Sequence, residues 1–143
     1  MVDELRKTYI VLLIPAIVGF IFFFIAKTFH LIHIGPVKFQ EFLGPSLFIA
    51  SVLFAIALPI LFRTLFAHKV RHQKSVSEID WLKFERIFLY IALLSPYVTL
   101  IAYFFELPRF YCAGTVLMAL YAVYYYYPSE RRITFEKRIF RVR

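Results

Sequence analysis

Few residues in this chain have the types and spacing that chemistry needs. One polar patch interrupts a long apolar stretch: Ser95-Pro96-Tyr97-Val98-Thr99. Pro96 has no N–H to offer the Ala92 carbonyl, so that carbonyl is left open inside a helix. Ser95, Pro96, Tyr97 and Thr99 are therefore the candidates for a small pocket taking a ligand or quinone, or for a gating kink. The commoner meaning of such hydroxyls is hydrogen bonding between packed helices, worth under about 2 kcal/mol each. Packing is the expected role.

The histidines fall in two groups. His68 and His72 are four apart and share a face if their helix continues, a spacing that suits a metal or haem iron. Lys69, Arg71 and Lys74 surround them and oppose a cation. His30, His33, Glu41 and Glu106 form a second donor set, two imidazoles and two carboxylates, chemically adequate for a divalent metal. Their spacing is no known signature, and interfacial polar residues are the commoner explanation. Cys112 is the single cysteine and has no neighbouring base. No Ser/His/Asp spacing, phosphate-binding glycine loop or Cys-x-x-Cys pair is present. The chain is read as non-enzymatic, and no cofactor is implied.

Basic residues are the remaining chemical resource. Net charge is +8, with 17 Lys or Arg against 9 Asp or Glu. In a soluble protein that balance suggests nucleic acid. Here the chain is 62% hydrophobic and its mean hydropathy is +0.73, so the cations flank membrane segments and no nucleic-acid partner is expected. Lys69, Arg71, Lys74, Arg131, Arg132, Lys137 and Arg138 are the candidates for contact with anionic lipid or an acidic partner.

The elements that must carry these residues are apolar runs. Residues 87–105 contain no charge, and 19 residues at a rise of about 1.5 Å span roughly 28 Å, the thickness of a bilayer core. Comparable runs occupy 8–26, 43–62 and 110–127. The first is too long for a signal-peptide core and is expected as a retained helix. Pro15 and Pro96 bend their helices, and Trp81 and the run Tyr124 to Tyr127 are read as interfacial anchors. Residues 28–42 are expected to lie along the outer interface. Residues 63–86 form a basic loop, with Ser75 and Glu78 spaced as a capping box. Residues 128–143 form a basic tail, for which Phe135, Ile139 and Val142 predict a short amphipathic helix.

Four spans place both termini on one side. That side holds 14 basic residues and the other holds Lys27, Lys38 and Arg109, so the termini are assigned to the cytoplasm. No span contains an ionisable residue, which argues against an ion-coupled pathway. Short matches between halves, such as Leu12-Leu13-Ile14-Pro15 with Leu93-Leu94-Ser95-Pro96, raise a duplicated helical hairpin.

The sequence thus predicts an all-α integral membrane protein, a single domain folded as a four-transmembrane-helix antiparallel bundle. The leading functional expectation is an accessory, anchoring or scaffolding subunit of a larger membrane complex in a bacterial inner membrane. Its expected partners are the lipid bilayer and other membrane-protein subunits or further copies of itself. Two alternatives are an oligomeric transporter or channel for an apolar solute and a haem- or quinone-binding redox subunit.

Overall fold

The computed structural model describes residues 1–31 and 40–143. The expected interfacial loop lies largely outside the described residues. Among those described, the chain is all-helical. The elements are α1 (Val2–Thr28), α2 (Gln40–Val52), a π turn (Leu53–Ala57), α3 (Leu58–Val70), α4 (Glu78–Ala92), α5 (Leu94–Phe104), α6 (Arg109–Tyr125) and α7 (Glu130–Ile139). Joined end to end, α2 with α3 and α4 with α5 make single rods, so the described chain forms five continuous rods rather than four.

Three of these rods are long and apolar enough to cross a membrane: Val2–Thr28, Glu41–Val70 and Glu78–Phe104. Their outward faces carry bare apolar side chains, among them Val11, Val18, Phe22 and Phe24 on α1 and Ile60 on α3. A face of that kind suits lipid, and the rods are compatible with membrane insertion. The fourth expected span, α6, is shorter, at 17 residues.

Helix ends differ from expectation for a common reason: a charged residue ends an apolar run without ending a helix. Asp3 and Glu4 favour the positive N-terminal end of α1, which begins at Val2. Arg63 does not close the second rod, which continues through His68 to Val70. Only turns 71–77 remain of the expected basic loop. The capping box at Ser75 does not form. Ser77 is the N-cap of α4, and the Glu78 carboxylate pairs with Lys137 at 2.8 Å.

Prolines set the irregularities. Pro59 cannot bond the Ala55 carbonyl; the helix widens there, and the Leu58 N–H reaches the Leu53 carbonyl five residues back. Leu93, three residues before Pro96, has φ −80° and ψ 2° and divides α4 from α5. α1 passes Pro15 unbroken, so the two prolines matched between the halves do not have the same effect.

The rods alternate in direction between two poles. At one pole Arg86 meets Glu4 at 2.9 Å, Arg6 approaches Glu130 at 3.8 Å, and Val76 bridges Val142. At the other Lys27 approaches Glu106 at 3.6 Å and donates to the Tyr103 carbonyl. Between the poles α2 and α6 cross closely through reciprocal glycines. A Cβ on Gly44 would stand 2.7 Å from the Tyr111 ring, and a Cβ on Gly114 would collide with Phe48. Gly114→Ala should therefore lower stability by roughly 1–3 kcal/mol, read as a lower midpoint of thermal unfolding in detergent. An unchanged midpoint would show that the crossing is looser than this geometry.

Candidate functional site

The polar patch of α5 is spent on neighbouring helices. Thr99 Oγ1 lies 2.8 Å from the Thr115 carbonyl of α6 and 3.2 Å from the Ser95 carbonyl. Tyr97 Oη donates to the Leu12 carbonyl of α1 at 2.6 Å. Ser95 Oγ faces the Ser51 carbonyl at 3.5 Å, the limit of a hydrogen bond. Ser95 and Thr99 are buried. Two more tyrosines act alike. Tyr126 Oη donates at 2.7 Å to the Ala55 carbonyl that Pro59 leaves open. Tyr9 Oη donates at 2.6 Å to the Val123 carbonyl, one of the open acceptors at the end of α6.

Beside this patch α1, α5 and α6 leave an apolar cleft of about 660 Å3. Leu13, Ile17, Phe20, Val116 and Leu120 line it, and Pro96 and Thr99 form part of the α5 wall. With the Thr99 hydroxyl already bonded, this surface is built for an apolar occupant.

Among the described residues, the largest concentration of buried charge is one the sequence reading missed. Glu85 on α4 and Glu136 on α7 are buried, and Arg132 lies between them. Arg132 Nη2 is 2.9 Å from Glu85 Oε2 and Nε is 3.2 Å from Glu136 Oε1. Its Nη1 donates to the Tyr126 carbonyl at 2.7 Å, closing the end of α6. Glu85 Oε1 is buried with no donor among the described residues, and the Glu136 carboxyl lies within hydrogen-bonding reach of Glu85. The two carboxyls are placed to share a proton. Removing one member of such a group costs about 3–5 kcal/mol, because the others stay buried and uncompensated.

Two expectations are corrected here. Glu85 belongs to a rod of membrane-spanning length, so that rod does contain an ionisable residue. Trp81 is fully buried and is no surface anchor; it packs with Leu5, Phe84 and Ile133, and Lys137 Nζ lies 5.7 Å from its ring. The signal for both was the stripe 81, 85, 88 and 92, whose 3.6-residue period runs through Glu85 without a break. On α7 the buried face is Ile133, Glu136 and Phe140, while Phe135 and Ile139 of the predicted face point outward.

The other candidates sit at helix ends and in turns. α3 ends at Val70, so His72 falls in the following turn and does not continue the helical face of His68. His30 and Glu106 both occupy positive-φ positions just after helix ends, at φ 52°. Glu41 lies in the first turn of α2 and is exposed. His33 lies outside the described residues. Among the described residues no three His, Cys, Asp or Glu side chains gather as a metal site would need. Of the basic candidates, Arg132 and Lys137 are taken by carboxylates, while Lys69, Arg71, Lys74, Arg131 and Arg138 are exposed.

Taken together, the fold is that of a helical protein with membrane-length apolar rods, an apolar cleft between helices and a buried ionic cluster at a pole. No protein family, curated protein or solved structure matches the chain, so its function is argued from these features alone.

Burial pushes the Glu136 carboxyl up, but the Glu85 hydrogen bond and the charges of Arg132 and Arg63 outweigh it and hold it below the usual carboxylate range. A carboxyl depressed by folding adds stability that is complete above its unfolded pKa of 4.5 and is lost as pH falls through the lower folded value. Acidification below about pH 4.5 should therefore loosen α7. Trp81 is the only tryptophan, so its emission should shift to the red over that range. Glu136→Gln should remove this acid step, and a Trp81 spectrum constant down to pH 3 would contradict the assignment.

Proposed function

We propose that the chain is an integral membrane protein in which α6 also crosses the bilayer, completing four spans. The pole carrying Arg6, Arg71 and Arg138 faces the cytoplasm, following the positive-inside bias. In this reading it serves as a non-enzymatic subunit that anchors or stabilises a larger membrane complex, with a bacterial inner membrane as the proposed setting. The observation that carries the reading is how the polar groups between the rods are used. Tyr9, Tyr97, Thr99 and Tyr126 all donate to backbone carbonyls of this same chain. Little hydrogen-bonding capacity remains there for a substrate, while broad apolar faces and the cleft remain open to neighbours. Purification from native membranes in mild detergent should therefore recover other membrane chains with it. A lone monomer, free of other chains and of lipid, would overturn the proposal.

The cleft supports a second reading, a path for an apolar solute when several copies assemble. Pro96 lines it and sits beside the break at Leu93. In that case liposomes carrying the protein should pass an apolar fluorescent solute, and Pro96→Ala should reduce the flux several-fold. Equal flux through protein-free liposomes would remove this reading.

A further inference from the structure

A second groove lies at the basic pole, between α3 and α4. Its floor is aromatic: the Phe66 and Phe84 rings stack at 4.0 Å, with Phe62 beyond them. Its volume is about 350 Å3. The two walls carry one pattern in opposite chain directions. On α3, which runs towards the pole, Leu65 is followed four residues later by Lys69. On α4, which runs away from it, Lys83 is followed four residues later by Ile87. Residues four apart on a helix share a face and differ in height by about 6 Å. On both walls, then, a lysine stands one turn nearer the pole than an exposed apolar side chain.

The charge at this mouth is not used within the protein. No carboxylate pairs with Lys69 or Lys83 among the described residues, and nearby Glu78 is taken by Lys137. Asp80 is the one acid on the groove wall. Cations above, an aromatic floor below and outward-facing Leu65 and Ile87 make an amphiphile's outline. The geometry points to a binding site for a single anionic phospholipid. Its phosphate sits between Lys69 and Lys83, its headgroup hydroxyls donate to Asp80, and an acyl chain runs over Phe62, Leu65 and Ile87. The assignment rests on the membrane reading above and names the lipid site within it.

The test uses the full chain purified in detergent, with phosphatidylglycerol as the probe. Bound lipid is counted by native mass spectrometry and thermal unfolding is followed in parallel. Phosphatidylglycerol should be retained and should raise the unfolding midpoint more than phosphatidylcholine does. Lys69→Gln with Lys83→Gln should weaken this binding roughly tenfold or more, while Arg71→Gln with Lys74→Gln leaves it intact. Both pairs are exposed, and circular dichroism checks that the variants stay folded. Undiminished binding by the Lys69/Lys83 variant, or equal binding of the two lipids, would overturn the site. The same midpoint shift from inorganic phosphate alone would overturn the lipid and leave an anion site. Alkaline carbonate extraction separates the two levels: release of the chain from membranes would overturn the membrane reading itself. Retention together with a failed lipid test would overturn the groove alone.

Discussion

Pro59 withholds an N–H from the Ala55 carbonyl, and a carbonyl between apolar helices has no water to turn to. The Tyr126 hydroxyl of α6 supplies the missing bond at 2.7 Å. That one contact ties the widened turn of the second rod to α6, and the arrangement around it follows. Tyr126 is buried against Phe88 of α4, with ring centroids 5.1 Å apart. Its own carbonyl is bonded by Arg132, which places α7. A backbone defect in one helix thus determines the partners of three others. Tyr97 and Tyr9 likewise donate to carbonyls of α1 and α6. Ring and hydroxyl act together, the ring filling space between rods and the hydroxyl closing a backbone acceptor.

The ionic cluster of Glu85, Arg132 and Glu136 does a different job at the basic pole. α7 is short and strongly charged, with three Arg and a Lys among its ten residues. A helix of that length is marginal in water without tertiary support. Its support is the cluster, the Glu78–Lys137 pair and the contact of Val142 with Val76. Lys137 lies near the Trp81 ring while its charge meets Glu78, so one side chain serves both packing and pairing.

Much of this fold was legible in the sequence, because the length and charge-free composition of an apolar run are local properties. The all-helical class and the membrane-length runs follow from them directly. What was not legible depends on where a helix stops and which way its faces turn. Counting uncharged residues put the start of the third run at Ile87, which left Glu85 and Trp81 in a loop. The helix starts at Glu78, and the Glu85 carboxyl on its inner face is met by Arg132, 47 residues later. Such a partner cannot be read from local spacing. The face of α7 was misjudged similarly: Phe135 and Ile139 look like the buried stripe, but Ile133, Glu136 and Phe140 are the buried residues, and Phe140 lies against Phe66 of α3 and Phe84 of α4. The polar patch at 95–99 was easier, since hydroxyls in an apolar run must find acceptors, and carbonyls of adjacent helices are the nearest.

The same 47-residue separation has a consequence for biosynthesis. At synthesis rates of roughly 5–20 residues per second, Arg132 emerges about 2–9 seconds after Glu85. Over that interval the Glu85 carboxyl is without the Arg132 guanidinium that bonds it. Assembly of the basic pole waits for α7, so the last helix to be translated completes a structure whose acidic half was laid down much earlier.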